Sequence, residues 1–382
     1  MTEGEAMKLA IYGTGVLGQY VYQQISTTPN SAYTVEVWAK THKDSDNLCG
    51  LPIISGEDLK DYDVDAVVIA IQKREIAQEI LLSLKRKNIT ECFFVHSAVL
   101  DLQLPILNES GLFNTYVQKW NSVMPVLPYL EFHVADACNL KCRGCSHFSN
   151  LVMEERYPRL SEFENSMQLL SEKFYNIEKL RLLGGEPLLN PELPQFIKAA
   201  RKFFPLSDIR VVTNGLLLPS GTGELMDAMR ENAAGFDISQ YHPTAKKLPE
   251  IIEILDRNRI KYHVSELIET FYVRYCKGEM DYKKVFYHGC HNGHRGDLCR
   301  FLRNGRIYVC PFVPMIYETK EYFGFDISEE EFQKNGVELT EKDGWEILSR
   351  LYEPFTLCRY CADHQRTMPW SVGKAAPEDW MV

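Results

Sequence analysis

The chain has 382 residues, 45% hydrophobic and 25% charged, which excludes a disordered or fibrous protein and supplies cores for two or three ordinary domains. A formal net charge of -10 provides no basic footprint for tracking phosphates, so a small-molecule or glycan substrate is expected and nucleic acid is not. An acidic N-terminus without a signal-peptide pattern, and no apolar run long enough to cross a bilayer, predict a soluble, cytoplasmic protein without a membrane partner.

In chain order, residues 8–12 read as a buried strand, followed by Gly13-Thr14-Gly15-Val16-Leu17-Gly18 and a helix with Leu17, Tyr20 and Val21 on one face. Strands at 34–38 and 66–71 and a helix at 74–87 extend this into a Rossmann-like unit over residues 1–98. Gly13, Gly15 and Gly18 point to a phosphate held at a helix N-terminus. The second strand runs out in Val37-Trp38-Ala39-Lys40, without the acidic residue that takes a nicotinamide-cofactor ribose. A purely structural unit is the alternative. Residues 99–126, with their prolines, Asn and Gly, predict a linker.

Strands at 130–134, 180–183, 209–213, 235–238 and 261–264 then alternate with helices such as 191–204, where Leu193, Phe196, Ile197, Ala200 and Phe204 keep a helical period. Such repetition predicts an α/β protein whose central part, residues 127–285, is a parallel sheet or partial barrel with its active site at the C-terminal strand ends. Residues 286–382 change texture, with hairpin signals, scattered cysteines, a capping box from Ser328 and a helix near 345–352, and predict a small separate domain.

Eleven cysteines without an export signal favour metal or redox use over disulfides. Cys49 and Cys92 stand alone and are expected to be small buried apolar residues. Cys138, Cys142 and Cys145 fall directly after a strand, and three soft sulfurs within one loop suit an iron-sulfur cube or zinc. Three ligands leave one iron of a cube open to a cofactor or substrate, whereas structural zinc needs a fourth ligand, for which His147 is the candidate. Asn304-Gly305 predicts a hairpin pairing Arg303 with Arg306 and, by continuation, Cys299 with Cys310. With Cys358 and Cys361 these thiols make a four-thiolate site that zinc also accepts. His288, His291 and His294 around Cys290 are loop residues or further ligands, and Cys276 is a catalytic candidate without a visible activating partner.

The spacing of Cys138, Cys142 and Cys145 at the end of a first barrel strand resembles the radical SAM superfamily. The resemblance implies a partial (β/α)6 barrel, a 4Fe-4S cluster on those thiols, and S-adenosylmethionine as cofactor. It assigns Gly184, Gly185, Glu186 and Pro187 to the cofactor's amino group, with Glu186 as counter-charge, and Thr213, Asn214, Ser239 and Gln240 to its ribose and carboxylate. The family often has an aromatic residue before the third cysteine; here that position is Gly144, and Phe148 is expected to supply the ring instead. The segment from 286 resembles a twitch or SPASM-like extension carrying one auxiliary 4Fe-4S cluster, two clusters in all, on Cys299, Cys310, Cys358 and Cys361. Cys290 is the alternative to Cys299, because the usual gap before Gly305 is longer. The N-terminal unit is similar to nucleotide-sugar-binding domains of sugar N-acetyltransferases, and Cys145-Ser146-His147-Phe148-Ser149 resembles radical SAM proteins of polysaccharide biosynthesis. These likenesses imply an enzyme that cleaves S-adenosylmethionine reductively and modifies a sugar, nucleotide sugar or glycan precursor by dehydrogenation, epimerisation or dehydration, with a reductase such as flavodoxin or ferredoxin as electron donor. A maturase of ribosomally made peptides and a non-enzymatic iron-sulfur scaffold are the alternatives.

Overall fold

The computed structural model describes residues 6–43, 45–96, 98–101, 103–114, 116–120, 123–152, 157–220, 223–290, 299–362 and 366–382, with the side chains of 75, 98, 101, 288 and 289 outside the description. They form two compact units, Met1–Met124 and Pro125–Val382. No helix of the described residues is long and apolar enough to cross a membrane.

The N-terminal unit contains β1 (Met7–Tyr12), α1 (Val16–Thr27), β2 (Tyr33–Lys40), β3 (Asn47–Leu48), β4 (Leu51–Ser55), β5 (Ala66–Ile69), α2 (Arg74–Arg86), β6 (Cys92–Val95), α3 (Ala98–Asp101) and β7 (Val117–Lys119). Its sheet runs β3-β4-β2-β1-β5-β6-β7, with β4, β2, β1, β5 and β6 parallel. Leu17, Val21 and Ile25 recur at four-residue intervals, so α1 lays one apolar stripe on the sheet. Two of the three glycines are explained by this packing. Gly13 has φ 117°, and a Cβ there meets the Ala70 carbonyl oxygen at 2.7 Å; a Cβ at Gly18 meets the Gly13 carbonyl oxygen at 1.9 Å. Gly15 is different, with open space where its Cβ would be.

The unit does not end at 98. Residues 99–126 were expected as a linker, yet Val99, Ile106, Leu107 and Val117 are buried in the same core as Leu9 and Trp38, and β7 pairs antiparallel with β6. Apolar residues spaced irregularly between turns carry no periodic signal, so their burial shows only once the sheet edge they cover exists. Cys92 is buried as expected, but Cys49 is exposed, in a left-handed turn at φ 53°.

The second unit holds β8 (Val126–Ala135), α4 (Leu160–Ser171), β9 (Asn176–Gly184), α5 (Leu193–Phe203), β10 (Asp208–Thr213), α6 (Gly223–Glu231), β11 (Gly235–Ile238), α7 (His242–Arg257) and β12 (Lys261–Val264). After them come β13 (Thr270–Tyr272), β14 (Phe301–Arg303), β15 (Arg306–Tyr308), β16 (Val337–Glu338) and β17 (Thr367–Pro369). One sheet runs β12-β11-β10-β9-β8-β14-β15-β16, and β13 pairs with β17 separately. β14 lies parallel to β8, Phe301 opposite Glu131, and so extends the parallel series beyond its first strand. The expected boundary at 285/286 therefore cuts through a continuous sheet, and residues 286–382 are no independent domain. The hairpin register is as the Asn-Gly turn dictates, Arg303 opposite Arg306, with Asn304 and Gly305 both at positive φ. Its ladder stops at Phe301 and Tyr308, short of the two cysteines.

Ser328 caps the helix Glu329–Gln333 through the Glu331 amide, and Asp343 and Glu346 form a full capping box on the helix Gly344–Leu351.

Candidate functional site

The loop after β8 turns through Lys141 (φ 51°), Gly144 (φ 66°) and Phe148 (φ 55°), which curls Cys138, Cys142 and Cys145 onto one cavity of about 320 Å³. Burial pushes the Cys138 thiol up to about 11 and the Cys142 thiol up to about 12, so both thiolates need a cation to form. Hydrogen-bond donors already face the sulfurs: the Leu140 amide donates to Cys138 Sγ at 3.5 Å and the Trp370 indole to Cys142 Sγ at 3.2 Å. Three soft sulfurs with N–H donors fit an iron-sulfur cluster. Among the described residues no three ligands converge tightly enough for a single metal ion, a demand that a cube, spreading its thiolates over separate irons, does not make.

The glycines after β9 serve close approach. A Cβ at Gly184 meets the Ala135 carbonyl oxygen at 2.0 Å, and one at Gly185 meets that of Ala137 at 2.0 Å. The amides of Gly185 and Glu186 instead donate to those carbonyls at 2.7 and 2.9 Å, locking the cysteine loop to the end of β9.

Glu186 has a different place from the one expected. Fully buried, it accepts from Thr213 Oγ1 (2.6 Å), the Asn214 amide (2.9 Å) and the Leu188 amide (3.0 Å). Burial raises its pKa to about 7, the hydrogen bonds opposing the rise. Its carboxylate braces the end of β10 and does not line the cavity, and Pro187 and Gln240 also stand outside the lining. Gly184, Gly185, Thr213, Asn214 and Ser239 do line it. Asn214 donates to Asn139 Oδ1 at 2.7 Å, which ties the end of β10 to the residue beside Cys138.

Phe148 does not supply a ring to the cavity. It is 2% exposed, stacked between Tyr275 (5.5 Å) and Trp380 (5.8 Å) in an aromatic core. Gly144 is bare for a steric reason, since a Cβ there meets Met368 Sδ at 2.7 Å and the Asp379 carbonyl oxygen at 2.8 Å. The aromatic wall comes from Tyr241, Phe271 and Tyr272, which sequence reasoning missed. Tyr241 directly follows the Ser239-Gln240 strand end and was within reach of that pattern; β13 carried too short a signal to be seen.

Arg274, also unforeseen, is the one permanently charged side chain among the cavity's lining residues, and it lies over Phe312 (5.0 Å) and Tyr272 (5.7 Å). His147 lines the cavity too, with Nδ1 2.9 Å from His133 Nε2, and burial depresses its pKa to about 3. His133 in turn meets Asp136 at 3.2 Å, and Asp136 takes two bonds of 3.1 Å from Arg303, pinning the hairpin to the end of β8.

A second thiol group forms elsewhere in this unit. Cys310, Cys358 and Cys361 are buried, and each lies within electrostatic reach of Cys290. Burial holds all three thiols well up, Cys358 at about 12. Cys299, expected as the first ligand, bonds Glu131, whereas Cys290, its alternative, is the cysteine within electrostatic reach of the other three. The guanidiniums of half-buried Arg274 and buried Arg300 stand close enough to feel these sulfurs, which suits a site that gathers negative charge. Cys276, the catalytic candidate, stands outside the cavity's lining; its thiol bonds the Gly278 carbonyl at 2.9 Å and burial raises its pKa. His291 and His294 and the side chain of His288 lie outside the described residues.

Comparison with known proteins agrees with this geometry. Residues 132–273 match the model of the radical SAM superfamily. The GTP 3',8-cyclase of Heliobacterium modesticaldum is 32% identical over 111 residues, 28% of this chain and 32% of the relative. That of Clostridium acetobutylicum is 34% identical over 102 residues, 27% of this chain and 32% of the relative. The chain thus spans about a third of the length of the curated relatives it matches. Among solved structures, BtrN in complex with AdoMet and 2-DOIA aligns with 63% of this chain and 94% of its own at 14% identity and a TM-score of 0.38. The motif cysteines and the strand ends around them fall within residues 132–273, the part of the chain that matches the radical SAM superfamily.

Proposed function

We propose that Cys138, Cys142 and Cys145 hold a 4Fe-4S cluster, that S-adenosylmethionine binds in the cavity beside it, and that the chain modifies a sugar, nucleotide sugar or glycan precursor. Bound there and reduced by one electron, the pair would supply reductive cleavage of S-adenosylmethionine and hydrogen-atom abstraction from the substrate. The backbone at Gly184 and Gly185 lets the cofactor approach, while Thr213, Asn214 and Ser239 offer it polar contacts. Tyr241, Phe271 and Tyr272 wall the cavity against water. The observation that carries the reading is the convergence of three thiols, strand-end polar groups and one guanidinium on a single cavity. Arg274 favours a substrate with a phosphate or carboxylate, since a guanidinium pairs with either through two parallel hydrogen bonds. Cys290, Cys310, Cys358 and Cys361 carry one auxiliary 4Fe-4S cluster, and a flavodoxin or ferredoxin delivers electrons.

The test is formation of 5'-deoxyadenosine above the uncoupled rate by reduced, reconstituted protein offered nucleotide sugars or peptides. Stimulation by peptides alone sinks the sugar reading. With the responsive substrate, Arg274→Gln is expected to raise KM about tenfold or more and leave kcat nearly unchanged, the loss of one charge-assisted contact. An unchanged KM would remove Arg274 from substrate binding.

The N-terminal unit supports the same reading through the turn ahead of α1, where backbone amides suit a diphosphate. Gly13 and Gly18 are needed for packing, but Gly15 has room for a side chain, so Gly15→Asp adds charge without forcing the fold. Equilibrium binding of a nucleotide sugar to the full chain is expected to fall at least tenfold in this variant. Wild-type binding retained in the variant would make the unit structural.

A further inference from the structure

The segment after residue 366 wraps the cysteine loop. β17 pairs with β13, the Arg143 amide donates to the Ser371 carbonyl at 2.9 Å, and the Gly373 amide donates to that of Lys141 at 3.2 Å. Asn150 Nδ2 donates to the carbonyls of Lys141, Cys142 and Gly373, closing the loop on this strap. Farther along, Arg143 forms a two-bond ion pair with buried Asp379 at 3.0 and 2.6 Å, and the Trp380 indole donates to the Cys145 carbonyl at 2.8 Å.

Within this strap Trp370 is fixed from several sides. Its amide donates to the Glu269 carbonyl at 2.8 Å, and its ring stacks on Tyr241 at 5.4 Å and 22°. The indole N–H then points at Cys142 Sγ, 3.2 Å away. An indole nitrogen is only a donor, so the contact has one polarity. A hydrogen bond to a ligating sulfur stabilises the extra negative charge that reduction brings, and such bonds are among the levers that set cluster potentials.

We infer that Trp370 raises the reduction potential of the cluster on Cys138, Cys142 and Cys145, and that the C-terminal strap serves to hold its N–H on Cys142. This rests on the cluster assignment proposed above. Trp370 is a positioning residue, acting through Cys142 and not on substrate.

The experiment is a redox titration of the full reconstituted chain followed by electron paramagnetic resonance, with and without S-adenosylmethionine. The signal that changes on adding the cofactor marks the cluster in question, and the other serves as internal control. W370F keeps a ring against Tyr241 and loses the N–H. It is expected to disfavour reduction of the cofactor-responsive cluster about tenfold, a fall of about 59 mV for one electron, with the control unmoved. The iron-sulfur stretch of that cluster in resonance Raman spectra is expected to rise as the hydrogen bond is lost. A change under twofold, or an equal shift of both clusters, overturns the inference. Should W370F fail to load, benzothienylalanine at 370, the same shape without the N–H, decides by the same criteria. Wild-type protein without any cofactor-responsive cluster would overturn the cluster assignment instead, which is a separate outcome.

Discussion

Replacing Cys138, Cys142 and Cys145 together by Ala is expected to abolish S-adenosylmethionine cleavage and to lower bound iron from about eight to about four per chain. All three thiols line one cavity, so no other described sulfur stands ready to substitute there. The loop that carries them is bound to the β9 end through Gly185 and Glu186 and to the C-terminal strap, bonds made by backbone and by residues the substitutions leave alone. The unit is therefore expected to fold, and unchanged far-ultraviolet circular dichroism checks it. Anaerobic reconstitution, iron and sulfide analysis, and chromatography of 5'-deoxyadenosine measure the rest. Retained cleavage in a folded triple variant would refute the central assignment.

The triple variant also isolates the second thiol group. In that background Cys290→Ala is expected to remove the remaining iron, sulfide and visible absorption, whereas Cys299→Ala is expected to keep nearly all of them. The difference follows from placement: Cys290 lies within electrostatic reach of Cys310, Cys358 and Cys361, while Cys299 is engaged with Glu131. Equal losses would bring Cys299 back as a ligand. Stoichiometric zinc without sulfide would identify a structural zinc site, since zinc takes the same four thiolates.

The local grammar of the chain settled much by itself. The parallel strands and the helix with Leu193, Phe196, Ile197 and Ala200 on one face follow from hydrophobic period alone, because burying one face needs only the spacing of apolar residues. The cysteine triplet was legible because three ligands of one group lie within a few residues, and the Asn-Gly turn fixed a hairpin register that the β14 and β15 pairing reproduces. Tertiary structure decided what depends on residues distant in sequence. Gly144 is bare because Met368 and Asp379 arrive from the far end of the chain, and Glu186 is a brace because its partners sit on another strand. Phe148 was drawn into an aromatic core by Tyr275 and Trp380, and Cys299 is engaged by Glu131 on β8, a strand far from it in sequence. Trp370 and Arg274 carry no motif at all. Their roles exist only where the C-terminal strap and β13 close over the loop, since a hydrogen bond or a charge contact depends on distance in space and leaves no period in sequence.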